Sequence, residues 1–216
     1  MKAKELEHYI AQNQIDKVES LILSQPALLQ EKSSKGISFV RLACLYKHPE
    51  MAHLIAEHCP SLDIHEICCL GRFDDLPFLI YKQPDLLQQY STDGYSPLGL
   101  ASWFGHVELV RFLLLRGADA NQSSNNGLDI FPIHSAAANN HLNIIKVLTE
   151  AGARVNVNQK DGTSPLHYAA QNGNIALIIL LLEQGANAEA KTANGQRPAD
   201  MAKARGFDEI AQILAS

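Results

Sequence analysis

The strongest constraint on this chain is an internal period of 33 residues. Pro132, Pro165 and Pro198 are spaced 33 apart, and Pro97 lies 35 before Pro132. Gly117, Gly152 and Gly185 follow the same 35 and 33. The stretch from Asp161 to Ala193 shows what is repeated. Asp161-Gly162 is a turn dipeptide, since glycine accepts positive φ without steric cost. Ser164-Pro165 then opens a helix, with a capping hydroxyl and a proline in the first turn. Leu166, Ala169 and Ala170 give that helix a narrow face, and Gly173 ends it. A second helix follows, from about Ile175 to Gln184. It is apolar nearly all round, which predicts burial on more than one side. A fixed period of turn, short helix and second helix describes a solenoid, in which each repeat buries its face only against its neighbours.

The segments SPLGLASWFGHVELVRFLLLRGAD at 96–119, FPIHSAAANNHLNIIKVLTEAGAR at 131–154 and SPLHYAAQNGNIALIILLLEQGAN at 164–187 carry the frame three times. In them the chain resembles the ankyrin repeat family, with its Thr-Pro-Leu-His start, Ala-Ala pair, Gly-His and closing Gly-Ala-Asp. The resemblance implies an all-α ankyrin-repeat solenoid of about seven helix-turn-helix units joined by short β-hairpin-like turns. The units fall at about 1–34, 35–61, 62–91, 92–126, 127–159, 160–192 and 193–216, in a single domain over 1–216, the first and last as caps. It is strong from 92 to 212 and weaker before, where Thr-Pro-Leu-His and Gly-Ala-Asp are both lacking. Spacing there shrinks to about 29, which predicts short or absent fingers. Gln25–Gln30 and Gln83–Gln88 are near copies in which a proline connection replaces the glycine turn. Gln122–Ile130 carries a two-residue insertion, expected as a longer, polar fingertip.

Composition bears on partners. Net charge is −5, about −3 for residues 1–90 and −2 for 91–216. This argues against nucleic acid or an anionic membrane, both of which favour a basic face. No apolar run approaches the ~18 residues of a membrane span, and the charged N-terminal stretch does not suit a signal peptide. Cys44, Cys68 and Cys69 stand where other repeats hold Ala, as small buried thiols. A cytoplasmic setting and an elongated monomer are expected.

The resemblance gives His134 and His167 a hydrogen bond to the turn backbone of a neighbouring repeat, and His106 and His141 a structural place in the Gly-His position. Gly99 stands where the first clear repeat would hold that imidazole. Ligand-like spacing occurs in His53, His58, Cys59, His65, Cys68 and Cys69, where a metal-binding protein is the alternative reading. Packing already explains Cys68-Cys69, and no Cys-x-x-Cys pair, phosphate loop or nucleophile elbow occurs, so no enzyme, metal or cofactor is expected. The family binds protein partners in a concave groove lined by the turns and the short helices. The expected function is therefore a non-catalytic protein-interaction module, an adaptor or regulator, with an inhibitor of one specific enzyme as the alternative. Taking the two residues before each helix-ending Gly gives a strip of Leu45, Tyr46, Leu70, Trp103 and Phe104, with Tyr95 at the adjacent turn. Asn139, Gln171 and Asn172 form its polar rim.

Overall fold

The computed structural model describes residues 2–215. Among these residues it contains α-helices and short 3-10 turns and no strand. The described chain divides into two compact parts. The first runs to Pro84 and takes in Ser91–Asp93. The second comprises Asp85–Tyr90 and the chain from Gly94 on.

The first part holds three helix pairs. These are α1 (Lys2–Ala11) with α2 (Ile15–Ser24), α3 (Phe39–Leu45) with α4 (Pro49–Glu57), and α5 (Ile64–Leu70) with α6 (Leu76–Lys82). The Gln25–Gln30 and Gln83–Gln88 connections contain 3-10 turns, Pro26–Gln30 and Pro84–Gln88. Leu6, Ile10, Ile22, Phe39, Leu42, Met51, Ile55, Ile64, Ile67 and Leu76 form its core. The second part holds four pairs: α7 (Pro97–Phe104) with α8 (Val107–Leu115), α9 (Pro132–Ala138) with α10 (Leu142–Glu150), α11 (Pro165–Gln171) with α12 (Ile175–Glu183), and α13 (Pro198–Ala204) with α14 (Asp208–Ala215). The first helices of its pairs pack side by side, α7 on α9, α9 on α11 and α11 on α13. Leu98, Ile133 and Leu166 are buried along that row. Each such side chain contributes roughly 1.5–3 kcal/mol.

Backbone signs make the repeat visible even where side chains have drifted. The residue just after the first helix of each pair, or one further on, has positive φ: Asn13, Lys47, Gly71, Gly105, Asn140, Gly173 and Gly206. This left-handed residue ends the helix and lets the chain turn back into the second one. Successive spacings are 34, 24, 34, 35, 33 and 33, so one repeat alone is short by about ten residues.

The missing residues are the finger of the third pair. Elsewhere the turns close on backbone hydrogen bonds: Ser33 N to Ile37 O at 2.9 Å, Ser124 N to Ile130 O at 2.8 Å, Gln159 N to Thr163 O at 2.9 Å and Thr192 N to Gln196 O at 2.9 Å. In the second part each finger is tied to the next, by Asn125 N to Gly94 O, Lys160 N to Leu128 O and Ala193 N to Asp161 O. Ahead of α5 there is instead a capping box, in which Asp63 and Glu66 exchange backbone-to-carboxylate hydrogen bonds of 2.8 Å each. The finger of the second pair then meets the Thr92-Asp93 turn directly, through Thr92 Oγ1 donating to Gly36 O at 3.0 Å.

One expectation is corrected. α12 is not buried on more than one side. Leu177, Ile178 and Leu181 are buried, whereas Ile175 is 54% exposed, Ile179 50% and Leu182 36%. The helix packs on α11 and on the neighbouring second helix α10, and the side carrying Ile175, Ile179 and Leu182 is left open.

Candidate functional site

The histidine at the third position of a first helix works as a two-ended fastener. In α9 the backbone N–H of Phe131 donates to His134 Nδ1 at 3.2 Å, and His134 Nε2 lies 3.2 Å from Val157 O of the following finger. In α11 Ser164 N donates to His167 Nδ1 at 3.1 Å, and Nε2 meets Gln196 O at 3.0 Å. These partners fix the tautomer: Nδ1 accepts, Nε2–H donates, and the ring is neutral. Burial pulls the His134 pKa down to about 4 and lowers that of His167 as well. Other repeats fill the position differently. Glu66 and Asp200 accept from their own N-cap amides. Ser96 Oγ accepts Gly99 N at 3.1 Å in place of the absent imidazole.

Arg41 takes this position in the second pair. It is 3% exposed, and its Nη2 donates to both carboxylate oxygens of Asp93, at 2.8 and 2.9 Å. Ser91 Oγ donates to the same Asp93 at 2.6 Å, and the guanidinium shares a hydrogen bond with the Cys69 side chain. Arg41 was missed in the sequence: the available signal was an arginine in the place of the motif histidine, but its partner lies 52 residues away.

The Gly-His position is also structural. His141 Nε2 lies 3.1 Å from Trp103 O, at the end of the preceding first helix. A Cβ on Gly105 would sit 2.7 Å from that imidazole. Phe207 occupies the same position in the last repeat and closes over Gly173 in the same way.

The strip anticipated as a binding surface is placed as follows. In the first part Leu45 is 42% and Tyr46 37% exposed, with Lys35 Nζ 5.5 Å from the Tyr46 ring and His48 stacked on it. Leu70 is a correction. It is 7% exposed, on a helix of which every residue is buried. Gly71 is itself the left-handed residue, so the pair before it is Cys69-Leu70, one step back from Leu70-Gly71. In the second part Trp103 is 39% exposed, and Tyr95 and Phe104 are half-buried, Phe104 stacked on His106. The polar rim is partly engaged. Asn139 Nδ2 donates to Ser135 O at 3.1 Å. Asn172 Nδ2 reaches the ends of α9 at Ala137 O and Ala138 O. Gln171 is half-exposed.

Two aromatics were missed. Phe131 is half-exposed, with the Arg154 guanidinium 5.9 Å from its ring. Tyr168 is half-buried and donates its hydroxyl to Gln159. The His134 ring lies 5.7 Å from Phe131 and 6.5 Å from Tyr168. The available signal was an aromatic where the N-cap normally carries a hydroxyl, and another directly after the motif histidine. The expected fingertip of residues 122–130 also presents an apolar side chain, Leu128, at 49% exposure.

The cysteines are poorly suited to chemistry. Burial pushes the Cys44 thiol up to about 12 and Cys59 to about 11, and raises Cys68 and Cys69 far above the ordinary range. All four stay protonated at neutral pH, whereas nucleophiles and metal ligands are thiolates. Cys59 Sγ lies 3.4 Å from Ile55 O in the last turn of the helix before it, and His65 is buried with Asp63 at 3.8 Å. Among the described residues no three His, Cys, Asp or Glu side chains gather as a metal-binding group. No described helix is long and apolar enough to cross a membrane.

Comparison with known proteins agrees with this geometry. The family model for ankyrin repeats (3 copies) matches residues 7–124, 64–159 and 133–216. Human DNA-binding protein RFXANK is 42% identical over 59 residues, 27% of this chain and 23% of that protein. The putative ankyrin repeat protein FPV014 of fowlpox virus (strain NVSL) is 33% identical over 107 residues, 48% of this chain and 23% of its own length. Alpha-latrocrustotoxin-Lt1a of Latrodectus tredecimguttatus is 27% identical over 116 residues, 39% of this chain and 8% of the toxin. The chain thus spans less than a quarter of each of these relatives. With a repeat backbone running through seven helix pairs and a family model matching nearly end to end, this chain belongs to the ankyrin repeat family, whose members are protein-interaction modules.

Proposed function

We propose that this protein is a non-catalytic adaptor or regulator that takes a protein partner on the side formed by its short helices and fingers. Trp103 carries the reading. It is the chain's one tryptophan, its backbone is pinned by His141, and at 39% exposure its side chain is partly open to solvent. An indole on a rigid helix end loses little entropy on binding and can anchor a partner. Tyr95, Phe104, Phe131 and Tyr168 supply aromatic surface from the same part of the molecule, and Leu128 supplies an apolar fingertip. Gln171 with Asn139 and Asn172 gives it a polar edge, and Leu45 and Tyr46 are proposed as a separate contact in the N-terminal part. Aromatic centres with polar rims are the usual composition of protein interfaces.

The partner is proposed to be a protein and not nucleic acid. The name of the human relative refers to DNA, but the shared stretch is short, and a net charge of −5 does not favour a polyanion. Four free, protonated cysteines fit a reducing, cytoplasmic setting, with the chain monomeric. The test is affinity capture from native lysate followed by titration of the recovered partner against Trp103→Ala. An anchoring role predicts affinity weaker by ~2 kcal/mol with the unfolding midpoint unchanged. A lowered midpoint with unaltered affinity would assign Trp103 to packing and remove this site.

A further inference from the structure

The outer face of α12 stands apart from its neighbours. At equivalent positions 33 residues apart, α10 exposes Asn143, Lys146 and Glu150, and α14 exposes Glu209 and Gln212. α12 exposes Ala176, Ile179 and Glu183 there, with Ile175 and Leu182 beside them. Ile175, Ile179 and Leu182 fall at i, i+4 and i+7, a continuous stripe along one side of the helix. Such a stripe in water is unfavourable unless something covers it.

The charges around the stripe say what kind of cover fits. Glu150 and Glu183 each end an outer helix, at the negative pole of its dipole, where an acidic group is unfavourable. Neither α10 nor α12 has a basic residue in its last turn. Neither carboxylate belongs to an ion pair of the described residues. Asp208 and Glu209 open α14, and among the described residues of α10, α12 and α14 Lys146 is the only cation. This row of three second helices, which holds the apolar strip, thus carries four carboxylates against one ammonium. A second copy of the chain is a poor match, because a two-fold axis sets acidic ends against acidic ends in either helix orientation.

We propose that this face docks a basic amphipathic helix of a partner protein. Its apolar side chains lie over Ile175, Ile179 and Leu182, and its lysines or arginines reach Glu150 and Glu183. The proposal is independent of the short-helix surface described above.

The test uses the full chain and a labelled synthetic helix of about 18 residues, with Leu at helical spacing and Lys elsewhere. A second peptide carries Glu at every Lys position. The Lys peptide is expected to bind, to weaken as salt is raised, and to lose about tenfold or more in affinity on Ile175→Gln/Ile179→Gln and on Glu150→Gln/Glu183→Gln. The Glu peptide is expected not to bind, and Trp103→Ala to leave Lys-peptide binding unchanged. The substituted side chains are exposed, and an unaltered denaturation midpoint confirms that both variants fold. Equal binding of the two peptides, equal binding to Ile175→Gln/Ile179→Gln, or no binding at all overturns the proposal. So does a concentration-dependent dimer that Ile175→Gln/Ile179→Gln abolishes, since a second copy would then be the occupant.

Discussion

Arg41 and Asp93 form an ion pair across 52 residues of sequence, reaching from the second helix pair to the turn before the fourth. The pair is possible because the third repeat has no finger, so nothing stands between the second finger and that turn. It is also unequal. The Arg41 side chain is 4% exposed and that of Asp93 26%. Burial opposes the charge on Asp93, but the Ser91 hydroxyl and the guanidinium outweigh it and hold the carboxyl below its ordinary range.

That inequality gives the first prediction. Asp93→Ala leaves a buried guanidinium whose Nε has no partner even now, and should destabilise by about 3–5 kcal/mol. Arg41→Met keeps the apolar volume and leaves a carboxylate that water and Ser91 can still satisfy, so it should cost clearly less. Chemical denaturation of both single variants and the double variant measures the coupling. Equal costs for the two single changes would show that the pair is solvated from both sides.

The histidine fastener predicts a pH dependence. His134 titrates near 4 when folded and near 6.5 when unfolded. Above pH 6.5 it is neutral in both states. Between pH 6.5 and 4 the unfolded chain takes up a proton that the folded chain refuses, so stability falls as pH falls, by at most about 3 kcal/mol. His134→Asn cannot titrate. Its stability should therefore decline less steeply than wild type over that window, a difference in which the other titrating groups largely cancel. Parallel urea titrations at pH 7, 5.5 and 4.5 check this, and identical slopes would contradict it.

Two left-handed positions should respond in opposite directions. Gly185 has φ of +82° and open space where a Cβ would go, so Gly185→Val meets no neighbour and its cost of roughly 1–2 kcal/mol is purely conformational. Lys47 adopts φ of +60° where other repeats use glycine or asparagine. Lys47→Gly relieves that strain and should stabilise by a few tenths to about 1 kcal/mol, the gain reduced by glycine's greater freedom when unfolded. Thermal unfolding of both variants tests the register as well as the magnitudes.

How much of this was legible in sequence depends on how a residue does its work. Pro97, Pro132, Pro165 and Pro198 act through their own φ, so their spacing of 35, 33 and 33 gave the helix starts directly. His134 and His167 act on backbone at a fixed offset, and the repeat supplied that offset. Arg41 acts on a side chain whose position depends on a finger that is missing, and no local pattern encodes that. Leu70 was misplaced for another reason: it stands in the strip in either register, but every residue of its short helix is covered by neighbours that no local pattern shows. The open face of α12 was misread because hydrophobicity shows that a helix can be buried, not how many neighbours are present to bury it.

Neighbours also set the last prediction. Phe207 covers Gly173 so closely that a Cβ there would lie 2.5 Å from the ring. Gln196 O receives the His167 Nε2–H, and α13 packs along α11. Removing residues 194–216 therefore strips α11 of a packed face and a buried imidazole of its acceptor at once. An unsatisfied buried donor costs about 1–3 kcal/mol, and in a nearest-neighbour array the exposed repeat loses its interface contribution as well. The 160–192 repeat should then melt ahead of the rest, seen as a broadened or biphasic urea transition and as loss of amide-exchange protection confined to α11 and α12. Restoring polarity at the newly exposed face, with His167→Gln and Leu166→Lys in the truncated chain, should recover solubility but not the single transition, because it supplies a surface that tolerates water and not a neighbour to pack against. A truncation that keeps one sharp transition at the original midpoint would mean that the last pair contributes nothing to the stability of α11, and that the histidine link to Gln196 is idle.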